Sequence, residues 1–194
     1  MEKLGQDFYN RDTVTVARDL LGKLLVRELD GHRLVGRITE TEAYVGPIDK
    51  ACHAYNYKRT PRTETLFAPP GTAYIYLIYG MYSCLNFVTE PEGTPCAVLI
   101  RAVEAVENEA YISLNRFGKL PEELTAYQRK NFLNGPGKLC KGFTLTRAQN
   151  GLSLLEDTLY AAEDGFVPKQ IHSSKRIGID YAEEAIDFPW RFYL

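Results

Sequence analysis

The chain has 194 residues, 45% of them hydrophobic, with 23 Lys and Arg against 25 Asp and Glu for a formal net charge of −2. That length suits one domain burying about 70% of the surface its unfolded chain exposes, and the charge balance excludes a global positive field, so any polyanion site must be local. Cys52, Cys84, Cys96 and Cys140 form no Cys-x-x-Cys pair and have no paired histidines, which argues against a zinc or redox dithiol motif, while the polar N-terminus and the lack of a ~20-residue apolar run predict a soluble, cytoplasmic chain.

Asp12-Thr13 is predicted to cap a helix whose apolar positions Val16, Ala17, Leu20 and Leu21 fall at helical spacing, with Gly22 as its stop. Lys23 to Leu29 then reads as a strand, Asp30-Gly31 as a hairpin turn and Arg33 to Val45 as the return strand. Strict alternation sets Glu40, Glu42 and Tyr44 on the face of Leu34 and Ile38. A strand face that starts apolar and ends acidic points to a cleft at its end, although a carboxylate such as Glu42 also has a plain reading as the ion-pair partner of Arg37 or Arg101.

After Gly46-Pro47, residues 50 to 62 carry Lys50, Lys58, Arg59 and Arg62 with no acid, interleaved with His53, Tyr55 and Tyr57. That is the composition of a nucleic-acid-facing loop, while a lone histidine by a turn reads equally as a hydrogen-bonded structural residue. Pro69-Pro70-Gly71 introduces a second hairpin: Thr72 to Tyr79, a turn at Gly80-Met81, and Ser83 to Thr89. Alternation puts Tyr74 and Tyr76 on one face and leaves Tyr79, Met81 and Tyr82 crowding the tip, as a wedge between base pairs would require. Tyrosines packed on a strand with their hydroxyls at the surface are the alternative. Asn86 shares a face with Cys84 and Val88 and is either a buried amide or a gauge in a pocket.

Pro95 to Val103 reads as a further strand, Glu104 to Phe117 and Pro121 to Phe132 as helices, and Asn134-Gly-Pro-Gly137 as a break before Lys138 whose amides suit a phosphate. Residues 111 to 149 carry seven basic side chains against Glu122 and Glu123, and the acids concentrate later, so a basic face is compatible with the near-neutral total, as is a mixed surface. No repeat or linker interrupts the chain. The expected architecture is α+β: a single domain over residues 1–194 with a curved antiparallel sheet, a protruding hairpin and surrounding helices.

The blocks Glu40-Thr-Glu-Ala-Tyr44, Gly46-Pro47, His53, Thr60-Pro-Arg62, Ile78-Tyr-Gly-Met-Tyr82, Asn86, Val98-Leu-Ile-Arg101-Ala, Gly135-Pro-Gly-Lys-Leu-Cys140, Arg176-Ile-Gly178 and Arg191-Phe-Tyr193 together resemble the methylpurine (alkyladenine) DNA glycosylase family, in order along nearly the whole chain. The resemblance implies a monomeric base-excision enzyme that needs no metal or redox cofactor. Such an enzyme flips alkylated or deaminated purines of the 3-methyladenine, hypoxanthine and ethenoadenine class out of double-stranded DNA and leaves an abasic site. It implies Glu42 as general base with Arg101 orienting it, and Tyr44, His53 and Tyr76 as walls of the base pocket. Tyr79 then intercalates, Asn86 opposes the 2-amino group of guanine, and backbone near Ile177 approaches the catalytic water. Tyr74, Met81, Tyr82, Lys58, Arg59, Arg62 and Lys138 are the expected DNA contacts, in the cytoplasm or at a nucleoid. Glu40 has no role in this scheme. Two other readings stay open: a nucleosidase or glycosidase using Glu40 and Glu42 on small substrates, and a non-catalytic damaged-DNA or RNA binder with Tyr74, Tyr76 and Tyr79 as a stacking platform.

Overall fold

A computed structural model describes residues 1–194. In chain order the elements are β1 (Glu2–Lys3), α1 (Gln6–Tyr9), α2 (Thr13–Asp19), β2 (Leu24–Leu29), β3 (His32–Val45), β4 (Ala73–Ile78), β5 (Tyr82–Thr89), β6 (Cys96–Glu107), α3 (Glu109–Phe117), α4 (Ala126–Lys130), α5 (Pro136–Gly142), β7 (Leu159–Glu163), β8 (His172–Ser174) and β9 (Arg191–Tyr193). The strands form one open antiparallel sheet in the order β1-β7-β2-β3-β6-β5-β4, and the C-terminal β9 pairs with both β3 and β8. The architecture is α+β, as expected.

Local chemistry accounts for the first elements. The Asp12 carboxylate accepts from the Thr15 amide at 2.8 Å and caps α2. The buried side chains Val16, Ala17, Leu20 and Leu21 then pack into the main core on one face of the sheet. Gly22 ends the run at φ +84, where a Cβ would also meet the Phe166 ring at 2.8 Å. A smaller cluster, including Leu66, Phe67, Tyr74 and Val88, fills the opposite face.

The strict alternation expected along β3 fails at one place. Leu34 and Ile38 lie in the main core, yet so does Ala43, and the Thr41 hydroxyl donates to the Ala17 carbonyl of α2 at 2.7 Å. Between them the pairing with β6 shifts register at Ile38/Glu40 and again at Glu40/Thr41. This bulge inserts one residue and exchanges the faces. Glu40, Glu42 and Tyr44 therefore point away from Leu34 and Ile38, which corrects the expected shared face. No acidic patch sits on the core. Strand β6 switches in the same way, with Val98 and Ile100 in the core before the shift and Val103 after it.

Three boundaries differ from expectation. Residues 104–107 continue β6 instead of opening a helix, because the long β3 offers them partners as far as Val35↔Glu107. The expected Pro121 to Phe132 helix is a single 3₁₀ turn, Pro121–Glu123, followed by a separate α4, since Thr125 and Gln128 form a capping box that starts a new helix. Helix α5 begins inside the expected break, with Pro136 in its first turn. No helix is long and apolar enough to cross a membrane.

Candidate active site

Strands β3 and β6, the β4–β5 hairpin, the loop after β3 and the segment 177–181 enclose a cavity of about 400 Å³. Behind this lining lies Glu42, which is fully buried and reaches the cavity only through the groups bonded to it. One carboxylate oxygen accepts from the Tyr44 hydroxyl at 2.7 Å and from Arg101 Nη1 at 3.3 Å, and the other accepts from the Ile177 amide at 2.9 Å. All three partners line the cavity. Since all three donate, the form of Glu42 they fit is the carboxylate. Burial, and next the charge of Glu42, push the Tyr44 phenol well above its usual range, so it remains a donor. Of the two arginines considered as ion-pair partners, Arg101 engages Glu42 while Arg37 pairs with Asp164 at 2.8 Å.

The walls are aromatic. His53 and Tyr76 meet edge to face with centroids 4.6 Å apart, and Tyr74 lies 5.5 Å from Tyr76. Burial, and next the charge of Arg62, lower the His53 imidazole from 6.5 to about 4. Arg62 Nη2 lies 3.5 Å from His53 Nε2, and a guanidinium only donates; the ring proton is therefore assigned to Nδ1, which donates to the Tyr74 hydroxyl at 3.2 Å. His53 is thus neutral at physiological pH. The His53 resonances are expected to titrate near pH 4. Because the unfolded imidazole binds its proton near 6.5, stability should decline as pH falls below 6.5 and level off below about 4. An NMR titration placing His53 near 6.5 would contradict this assignment.

Both hydrogens of the Asn86 amide are used on the Tyr74 and Cys84 carbonyls, at 3.1 and 3.3 Å, so its orientation is fixed with Oδ1 as the free end. Asn86 is a satisfied buried amide that also lines the cavity.

The turn of the β4–β5 hairpin is centred on Tyr79-Gly80 and not on Gly80-Met81. The Met81 amide donates to the Ile78 carbonyl at 3.2 Å, with Tyr79 at φ 53 and Gly80 at φ 69. A tyrosine in the left-handed region costs on the order of 1–3 kcal/mol, and such strain clusters at functional sites. It holds Tyr79 out at 84% exposure, flanked by the exposed Met81 and Tyr82. Although so exposed, Tyr79 still borders the cavity.

The basic loop is less positive than its composition suggests. Lys50 pairs with Glu183 and Glu184, and Arg59 pairs with Glu64, which leaves Lys58 and Arg62 without a carboxylate partner. Arg62 lies over the Tyr76 ring at 5.4 Å and lines the cavity. Lys138 donates to the Asn131 and Asn134 side-chain carbonyls at 2.8 and 2.9 Å, and α5 packs on the hairpin through Gly137, where a Cβ would lie 3.0 Å from Tyr82.

Sequence reasoning passed over Asp49, Arg176 and Arg191 as site residues. Arg176 pairs with Asp49 immediately before Ile177, and Arg191 Nε donates to Glu40 at 2.6 Å. The only signals for them were the family positions themselves, Asp49 after Gly46-Pro47 and the C-terminal blocks Arg176-Ile-Gly178 and Arg191-Phe-Tyr193, because no local pattern connects residues more than 120 positions apart.

A buried carboxylate under an aromatic pocket, next to a hairpin tip of exposed bulky side chains, defines the class of DNA glycosylases, enzymes that work on a base taken out of the stack. The chain belongs to the methylpurine-DNA glycosylase (MPG) family, which it matches over residues 7–194. It is 54% identical to a protein of Clostridium perfringens (strain 13 / Type A) over 99% of this chain and 95% of the relative. It is also 50% identical to one of Desulfitobacterium hafniense (strain Y51) over 100% of this chain and 96% of the relative. Both relatives carry the name "Putative 3-methyladenine DNA glycosylase". The chain is a methylpurine DNA glycosylase, a hydrolase of DNA repair.

Proposed function

We propose that this enzyme excises alkylated purines of the 3-methyladenine class most readily, and neutral purines such as hypoxanthine and ethenoadenine more slowly. Glu42 acts as the general base: it takes a proton from the water that attacks C1′, while the N-glycosidic bond breaks and its electron pair leaves with the base. The observation that carries this reading is the Glu42 carboxylate, buried and held by Tyr44, Arg101 and the Ile177 amide, three residues that line the cavity. A fixed carboxylate also stabilises the oxocarbenium-like sugar. Arg101 orients Glu42, Tyr44, His53 and Tyr76 stack on the extruded base, Asn86 gauges its edge, and Tyr79 fills the space it leaves in the duplex. Met81, Tyr82, Tyr74, Lys58, Arg62 and Lys138 supply further contacts to DNA; Arg59 contributes less, since Glu64 engages it.

The order of substrates follows from the walls. Stacking on aromatic rings favours electron-poor, cationic bases, which also leave without further protonation. His53 is a poor acid for a neutral base, because its one ring proton is engaged by Tyr74. The strained, exposed Tyr79 favours duplex DNA over free nucleosides.

The test is a duplex carrying a single 3-methyladenine, hypoxanthine or ethenoadenine, scored for free base and an abasic site. Release from duplex but not from nucleoside is expected; no release of any damaged purine would sink the proposal. Tyr79→Ala should lower single-turnover release from duplex by roughly 5- to 150-fold, given stacking of roughly 1–3 kcal/mol per base, with a smaller loss on single-stranded substrate. An equal loss on both would remove Tyr79 from the wedge role. Binding should weaken as salt rises.

A further inference from the structure

Glu40 shares the pocket side of β3 with Glu42, but its contacts differ. Its Oε1 accepts from Arg101 Nε at 3.0 Å and from Arg191 Nε at 2.6 Å. Arg101 thus bridges two carboxylates, with the shorter contact to Glu40 and the longer one, 3.3 Å, to Glu42. Arg191 is in turn tied to Ser174 Oγ at 3.2 Å and pairs in register with Glu42 across β9. The chain Arg191–Glu40–Arg101–Glu42 alternates in sign, and each side chain in it is at most a quarter exposed.

We infer that Glu40 is a positioning residue that restrains Arg101 and so keeps Glu42 basic enough to deprotonate water. This rests on the reading of Glu42 as the general base. A guanidinium free to close fully on Glu42 would stabilise its charge and make it a weaker base; one drawn toward Glu40 shares that charge. Other groups facing Glu42 are Tyr44 on its own strand, Arg101 and Arg191 on the flanking strands, Arg176 from the C-terminal segment, and the neutral Tyr76 and Cys84 from the hairpin. Two further negative charges join this set, Asp49 on Arg176 and Glu40 on Arg101, and of the two only Glu40 shares the arginine that touches Glu42. Arg191 opposes it by holding part of the Glu40 charge away from Arg101.

Two substitutions should therefore act in opposite directions. Glu40→Gln should move the acid limb of the single-turnover pH–rate profile down by about one unit and lower the plateau about tenfold, with lesion-duplex binding by anisotropy unchanged. Arg191→Gln should move the same limb up. A purely structural role predicts loss of rate with both limbs in place, so limbs that stay put, or that move the same way, overturn the inference. Glu40→Asp should restore part of the plateau. Glu42→Gln, run alongside, separates the two claims: if it keeps its activity the general-base reading fails, and if it is inactive while the limbs do not move only the role of Glu40 fails.

Discussion

Glu42→Gln is expected to reduce single-turnover base release by roughly 10³-fold or more while lesion-duplex binding stays close to that of the parent, a loss at the upper part of the range for removing a general base. The substitution is informative because it hardly disturbs the packing. The Ile177 amide can donate only to an oxygen, so the glutamine carbonyl should settle there at the 2.9 Å position of Oε1. Its amide nitrogen then meets the Tyr44 hydroxyl, which can reverse and accept, and Arg101, which cannot and keeps its bond to Glu40. A folded, binding-competent enzyme without a proton acceptor is the result. Free base and abasic sites formed from a hypoxanthine duplex, measured with enzyme in excess, check it. Substantial retained activity would take Glu42 out of the base role.

The parts of the fold legible in the sequence are those with local causes. Asp12 caps α2, Asp30-Gly31 turns β2 into β3, and the β-forming run Ala73–Ile78 needs only alternation to be read as a strand with Tyr74 and Tyr76 on one side. The β3 bulge leaves no mark on composition. It is a property of how β3 pairs with β6, yet it decides which face carries Glu40 and Glu42. The same holds for residues 104–107, whose acidic, alanine-containing sequence reads as helix until the length of β3 is known. In the site, Tyr44, His53, Tyr76, Tyr79 and Asn86, all named from the sequence, line one cavity, and Glu42 is bonded to its lining. What spacing could not supply is the C-terminal segment that returns across the sheet to reach them, Ile177 to Glu42 over 135 residues and Arg191 to Glu40 over 151.

One fully buried pair, Arg176 with Asp49, helps to anchor that return, and Asp49→Asn should destabilise the protein by about 3–5 kcal/mol, the usual consequence of leaving a buried charge without its partner. Both side chains are fully buried. Arg176 Nη1 donates to Asp49 Oδ2 at 2.5 Å and Nη2 to Oδ1 at 2.8 Å, with further bonds to the Ala43 and Ala185 carbonyls, and Asp49 also accepts from the Val45 and Ala51 amides. The guanidinium lies 4.8 Å from the Tyr44 ring centre and 5.3 Å from that of Trp190. At this chain length the loss corresponds to a fall in Tm of about 6–20 °C. The pair also connects stability to chemistry: its arginine directly precedes the Ile177 amide that holds Glu42, and it grips Ala43, the neighbour of Glu42 on β3. Release measured well below the melting temperature should therefore fall as well. A double replacement, Asp49→Leu with Arg176→Met, should recover much of the Tm, since a well-packed apolar pair often matches a buried ion pair, without recovering the rate, because the bond to the Ala43 carbonyl is gone. A melt of Asp49→Asn within about 2 °C of the parent, less than about 1 kcal/mol at this size, would show that Arg176 finds another partner and that the C-terminal segment is held by its apolar contacts alone.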